Sequence, residues 1–342
     1  LKSFLKKLNL IQKFMKNKPI VVVSGEPYSV FLEIFFKSLK NKELKFLNRP
    51  ILLICSFDLC QKQMKKLKYN FKLKKIQMNE IPFIVNKKNQ INIFDVNFKF
   101  RKVFDQISSN SNQYMNECFE TALNIVYKYK IKFLINGPVS KEFFLKKKYP
   151  GMTEYFASKT KNVDKEVMLI YGKNLSVSPI TTHLPLRQIF KKISKKKIIK
   201  NVKIINDFYK KYLNKKPRIA VTGLNPHCET ISKFSEEKNI LEPAIKYLKK
   251  NQINVFGPFA ADTLFIGKNL KNYEVIIGMY HDQVLTPIKT LYEFKAINIT
   301  LGLPFIRITP DHGPNNQMLG KNLSQPDSFI EAINFINKIS AN

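Results

Sequence analysis

An α/β fold with a largely parallel sheet is what this sequence predicts. Short apolar runs rich in β-branched residues recur along the chain, each bounded by turn residues. Between them lie stretches whose apolar residues repeat every three or four positions, the period of one helix face. The alternation of the two patterns is the mark of strands joined by crossover helices.

Taken in order, "IVVVSG" (20–25) reads as the first strand and residues 28–39 as the helix after it. "ILLICS" (51–56) is the next strand, and "NECFETALNIVYKYK", inside 112–129, is the clearest helix. "KFLING" (132–137) and "VMLIYG" (167–172) follow as strands, then helical patterns at 185–194 and 199–213. "RIAVTG" (218–223), a helix over 238–250, "INVFGP" (253–258), "EVIIGMY" (274–280), "INITLG" (297–302) and a helix over 326–339 complete the series. The lysine-rich "FKKISKKKIIKNVK" (190–203) reads as a solvated helix face and a connection. The sequence holds no internal repeat, and no low-complexity linker long enough to separate independent domains.

The chain has 342 residues, 44% of them hydrophobic, enough for one large domain or two lobes with a proper core. Lys and Arg exceed Asp and Glu by 34. Such an excess can signal nucleic acid or an anionic membrane. Here the lysines run along the whole chain, Asn, Ile and Phe are abundant and Trp is absent, the pattern of a nucleotide bias toward A and T. With no nucleic-acid motif and no apolar run of membrane-spanning length, the expected partners are small anions, not nucleic acid or membrane. Cys55, Cys60, Cys118 and Cys228 form no disulfide framework, so a reduced, cytoplasmic setting is expected. Residues 1–14 read as an N-terminal extension ahead of Met15, and they lack the features of a signal peptide.

All four histidines follow apolar, strand-like runs: His183 in "SPITTHLPLRQI", His227 in "RIAVTGLNPHCE", His281 in "GMYHDQVLTPIK" and His312 in "RITPDHGP". Strand ends are where α/β folds carry their reactive groups. Imidazole is also the commonest metal ligand. On spacing alone two readings stand together: three or four histidines converging on a divalent cation, or unrelated loop histidines. There is no HExxH, no CxxC, no GxGxxG and no Walker loop, and no two glycines are spaced two apart.

Eight blocks, in order from about residue 19 to 320, carry a resemblance. They are "GEP" (25–27), "NGPVSKEF" (136–143), "GMTEYFA" (151–157), "TTHLPLRQI" (181–189), "RIAVTGLNPH" (218–227), "GPFAADTLF" (257–265), "YHDQVLTPIK" (280–289) and "NITLGLPFIRITPDHG" (298–313). Together they resemble the 4-hydroxythreonine-4-phosphate dehydrogenase family of vitamin B6 biosynthesis. The resemblance implies an isocitrate/isopropylmalate-dehydrogenase-like fold, with residues 15–342 forming a single catalytic unit of two interwoven α/β lobes around a cleft. It implies NAD or NADP as cofactor and one divalent metal per site, Zn, Mg or Co. The metal ligands would be His183, His227 and His281, with His281 supplied by the partner subunit of a homodimer; His312 is not a ligand. Thr153, Lys289, Asn298 and Arg307 would contact substrate. Asp262 and Asp282 would support the metal ligands or carry protons. Thr153 could equally cap a helix.

The implied reaction oxidises 4-phosphooxy-L-threonine to a 2-amino-3-oxo acid that decarboxylates to 3-amino-2-oxopropyl phosphate. Two departures bear on the substrate. Met152 stands where the family has a substrate-contacting His, and the family's "GEPAGIGPE" is here "GEPYSVFLE" (25–33). A dehydrogenase of another phosphorylated four-carbon acid, of the 4-phospho-erythronate type, is therefore an alternative, as are a metal-dependent hydrolase and a basic nucleic-acid-binding protein without catalysis.

Overall fold

The structure, a computed structural model, describes residue 14 and residues 17–42, 44, 48–146, 148–229, 233–293 and 295–341. Apart from Phe14, the expected N-terminal extension lies outside the described residues. In chain order the elements are β1 (Ile20–Val23), α1 (Phe31–Lys40), β2 (Ile51–Cys55), α2 (Phe57–Lys66), β3 (Lys72–Lys75), β4 (Gln90–Asp95), α3 (Asn112–Lys128) and β5 (Phe133–Asn136). Next come α4 (Met152–Lys159), β6 (Val167–Tyr171), β7 (Ser176–Pro179), α5 (Leu186–Lys192), α6 (Lys195–Leu213), β8 (Ile219–Thr222), α7 (Glu242–Lys250) and β9 (Val255–Phe259). The chain closes with α8 (Ala261–Leu264), α9 (Gly267–Leu270), β10 (Val275–Gly278), α10 (His281–Tyr292), β11 (Ile297–Leu301), β12 (Ile306–Pro310) and α11 (Asp327–Ala341). The α/β class expected from the alternation is what forms.

The chain divides into two compact units, one of residues 1–148 and 304–338, the other of residues 149–303 and 339–342. In the first, strands lie in the order β3, β4, β2, β1, β5, β12, all parallel. β1, β2 and β5 are buried at every position, and apart from Asn136 at the end of β5 they are wholly apolar, as a parallel sheet covered on both faces requires. β3, "KLKK", is a charged and mostly exposed edge strand.

In the second unit the order is β11, β6, β7, β10, β8, β9. β6 runs antiparallel to both β11 and β7, while β7, β10, β8 and β9 are mutually parallel. In the lysine-rich stretch Lys191, Lys192, Lys195 and Lys196 are exposed and Lys197, Lys200 and Lys203 half-buried, while Ile198, Val202 and Ile205 of α6 turn inward.

Candidate active site

Three neighbouring parallel strands of the second unit bring three of the four histidines to one edge; His312 follows β12 in the first unit. β10 lies between β7 and β8, with Gly278 level with Pro179 and Ile277 level with Val221. All three strands therefore end together. His183 comes four residues after β7, His227 five residues after β8 and His281 three residues after β10. The carboxyl edge of parallel strands is where α/β sheets hold their ligands.

His281 is the first residue of α10. Its Nδ1 lies 2.6 Å from Oδ1 of Asp282. A proton on Nδ1 donates to that carboxylate and leaves Nε2 with a free lone pair, the arrangement that prepares a histidine to bind a metal. The His183 ring stands 5.7 Å from the His281 ring, centroid to centroid. His183 Nδ1 is buried without a hydrogen bond and faces Oε2 of Glu154 at 3.7 Å. Burial pushes the Glu154 carboxyl up, but the His183 imidazole and the Thr182 hydroxyl outweigh it, and the net direction is down. The Thr182 hydroxyl donates to the other Glu154 oxygen at 2.8 Å.

The approach of α4 to His183 depends on Gly151. A Cβ there would sit 2.6 Å from His183 Cε1 and 2.8 Å from Nδ1. Gly151 is also the N-cap of α4, so Thr153 is not the cap that its position allowed. Thr153 is buried inside the first turn, its hydroxyl 3.3 Å from that of Thr300 on β11. The same turn thus touches His183 through Glu154 and β11 through Thr153. Asn298, two residues before Thr300, has a buried Oδ1 with no hydrogen-bond partner. Met152, the first residue of α4, is half-buried.

His227 sits in a tight turn, Pro226–Cys228, with φ of 54° at His227 and 62° at Cys228. Two consecutive non-glycine residues in left-handed backbone are costly and persist only where the surroundings hold them. Glu237 supplies that hold. It is 1% exposed and accepts the amides of Leu224 and Asn225, each at 2.9 Å, as well as the Asn225 side chain. Burial raises its pKa, and these donors bring it net below the usual range. Burial pushes the half-buried Cys228 thiol up.

The remaining expected residues have surroundings of their own. Asp262 is exposed and accepts the Thr263 amide at 3.0 Å, a local turn contact. Lys289 is exposed in the last turn of α10, about 12 Å along the helix from His281 at 1.5 Å per residue. Arg307 belongs to the first unit. It is 2% exposed on β12, and its Nε donates to Asn136 Oδ1 at 2.7 Å. Among the described residues, no three His, Cys, Asp or Glu side chains are gathered closely enough in this chain to hold a metal. No described helix is long and apolar enough to cross a membrane.

Sequence reasoning does not single out Gly151, Glu154, Glu237 or Gln283. Gly151, Glu154 and Gln283 lie within the quoted blocks "GMTEYFA" and "YHDQVLTPIK", the one signal that points toward them.

The residues present suit a divalent cation. Two imidazoles adjoin, each with its Nδ1 turned to a carboxylate, and His183 has a buried ring nitrogen with no hydrogen bond of its own. Parallel strand ends of this kind are where α/β enzymes bind their ligands, and comparison with known proteins gives the class as a dehydrogenase. Residues 47–336 match the family model of the pyridoxal phosphate biosynthetic protein PdxA. A 4-hydroxythreonine-4-phosphate dehydrogenase from Sulfurihydrogenibium sp. (strain YO3AOP1) is 34% identical over 319 residues, covering 92% of this chain and 96% of that protein. A protein of Oceanobacillus iheyensis provisionally named a D-threonate 4-phosphate dehydrogenase is 31% identical, over 93% of this chain and 97% of its own. The crystal structure of 4-hydroxythreonine-4-phosphate dehydrogenase from Klebsiella pneumoniae superposes with a TM-score of 0.81 at 27% identity, covering 95% of this chain and all of that one. The chain belongs to the PdxA family.

Proposed function

We propose that this protein oxidises 4-phosphooxy-L-threonine with NAD or NADP, the product losing CO₂ to give 3-amino-2-oxopropyl phosphate. The observation that carries the reading is the His183–His281 pair, each ring backed by a carboxylate, at the shared edge of parallel strands. His183, His227 and His281 would hold a divalent cation (Zn, Mg or Co), and a cation bound there would act as a Lewis acid toward a substrate hydroxyl.

The chain's own groups then have separate tasks. Asp282 keeps the proton on Nδ1 of His281 and fixes the ring. Glu154 faces His183 Nδ1 at 3.7 Å, too far for a hydrogen bond, and would favour that ring by its charge alone. The unpaired Oδ1 of Asn298 offers a buried acceptor to a substrate N–H or O–H. Thr153, at the start of α4, offers a hydroxyl and a helix N-terminus to phosphate. Lys289 and Arg307 are proposed as contacts for the substrate's anionic groups on the family resemblance alone. Exposed Asp262 suits proton exchange with solvent better than holding a ligand in place.

The cation site is proposed to be shared in a homodimer. His183 and His281 adjoin within one chain, and His227 is not gathered with them into a three-ligand group. That supports a division in which His183 and His281 come from one subunit and His227 from the other, rather than His281 being the partner's ligand. The setting proposed is the cytoplasm.

The substrate is tested by measuring reduced nicotinamide formed from 4-phosphooxy-L-threonine, 4-phospho-erythronate and D-threonate 4-phosphate, with NAD and NADP in parallel. The reading predicts the highest kcat/KM with 4-phosphooxy-L-threonine. A preference for either deaminated acid moves the protein to that sister activity. Hydrolysis of any of them without nicotinamide reduction assigns the histidines to water activation instead.

A further inference from the structure

We infer that Gln283 is a positioning residue that fixes, within one chain, the His227 loop and the start of the helix bearing His281, so that each presents its ligand to its own site of the proposed dimer. The inference rests on the reading of those histidines as metal ligands. The ladder between β8 and β10 ends at Val221 and Ile277. Beyond that rung the two chains part, and the peptide groups of Gly223 and Met279 would be left without partners across the gap. The Gln283 side chain fills it. Its Oε1 accepts the Met279 amide at 2.7 Å and the Thr222 hydroxyl at 2.8 Å, and its Nε2 donates to the Gly223 carbonyl at 2.8 Å. A side-chain amide thus replaces a peptide group as the last rung of the sheet.

The consequence follows from where those atoms lie. Gly223 is four residues before His227, and Met279 is two before His281. Gln283 itself is in the first turn of α10, whose first residue is His281. One planar amide therefore ties the loop of one expected ligand to the strand and helix that carry another. Gly278 allows the helix to come this close: a Cβ there would lie 2.5 Å from Val284 Cγ1 and 3.3 Å from Gln283 Oε1. The three hydrogen bonds of Gln283 go to Thr222, Gly223 and Met279 rather than to an imidazole, so its effect on a bound ion passes through the backbone.

The test uses Co²⁺ as probe on the full chain, comparing wild type, Gln283→Met, Gln283→Glu and His281→Ala. Binding is read by titration and by the visible absorption of the bound ion, and amide hydrogen exchange at Met279 is followed without cation. Methionine keeps the volume and removes all three hydrogen bonds. Glutamate keeps the two acceptor bonds and sets an oxygen against the Gly223 carbonyl. The expected result is Co²⁺ binding weakened about tenfold to a hundredfold in Gln283→Met, the range for residues that orient metal ligands. A smaller loss is expected in Gln283→Glu, with Met279 exchange faster only in Gln283→Met. Should Gln283→Met not fold, the Glu variant carries the test, and unchanged Co²⁺ affinity there overturns the inference. Wild-type affinity in a folded Gln283→Met, with affinity lost in His281→Ala, also overturns it. If His281→Ala binds Co²⁺ as wild type does, the histidine reading falls, and Met279 exchange alone decides. Faster exchange in Gln283→Met then supports the clamp, and unchanged exchange overturns it.

Discussion

At the scale of single residues, Gly151 and Glu26 make opposite kinds of prediction. Gly151 is required by close approach, since any Cβ meets the His183 ring at 2.6 Å. Gly151→Ala must displace either the ring or the start of α4. Overpacking of this sort costs about 1–3 kcal/mol. The expected outcome is a lower melting temperature together with a kcat/KM reduced at least tenfold, measured on one preparation; an undiminished kcat/KM would show that His183 is not where the chemistry occurs. Glu26 is 1% exposed in the first unit, and burial pushes its carboxyl up to about 7 despite the Ser111 hydroxyl, which donates at 3.0 and 3.1 Å to its two oxygens. Its folded pKa lies above its unfolded value near 4.5. Its contribution is therefore fully present below about pH 4.5 and falls away as pH rises through about 7. At 1.36 kcal/mol per unit the difference is of order 3 kcal/mol. Glu26→Gln should flatten the fall in denaturant midpoint between mildly acid and neutral pH; a fall as steep as in wild type would place its origin in another group.

Elements show what the sequence could and could not reveal. The buried parallel strands were legible because both their faces are covered and their sequences, "IVVV", "ILLIC" and "FLIN", are short and almost wholly apolar. β3, "KLKK", was not, because an exposed edge strand has no apolar side to bury. β7, "SVSP", was legible only as the strand-like run before His183, because two of its four buried residues are serines. α10 was hidden for another reason: its N-cap is Tyr280 with no side-chain cap and Pro287 lies within it, so the usual start signal is missing and a breaker is present. The histidines were legible as strand-end residues. Glu237 and Gln283 were not, because each acts on partners distant in sequence, such as the Asn225 amide 12 residues away and the Gly223 carbonyl 60 away, which no local pattern encodes. The loop bearing His227 makes the point testable. Glu237→Ala leaves the Leu224 and Asn225 amides without their acceptor, at about 1–3 kcal/mol for each buried donor. It should lower stability by that order and weaken cation binding, while Glu237→Gln recovers some of both. Unaltered cation affinity in a folded Glu237→Ala would mean that the left-handed turn at His227 holds itself.

At the scale of the whole molecule, the fold is that of the PdxA family and the chemistry proposed is that of its named dehydrogenases. The division of ligands between subunits has a direct readout. If one subunit gives His183 and His281 and the other His227, mixing inactive His183→Ala with inactive His227→Ala restores one complete site per hybrid dimer. Mixing His183→Ala with His281→Ala then restores none. The reverse pattern, after subunit exchange has been demonstrated, would return His281 to the partner.

The central claim, that histidine-held cation chemistry drives nicotinamide reduction, is met most directly by one assay. Reduced nicotinamide formed from 4-phosphooxy-L-threonine is followed in wild type, His183→Ala and His312→Ala, first after chelation and again after Zn²⁺, Mg²⁺ or Co²⁺ is restored. The account predicts that chelation abolishes turnover, that a divalent cation restores it in wild type and in His312→Ala, and that nothing restores it in His183→Ala. Turnover by chelated His183→Ala at the wild-type rate would contradict it.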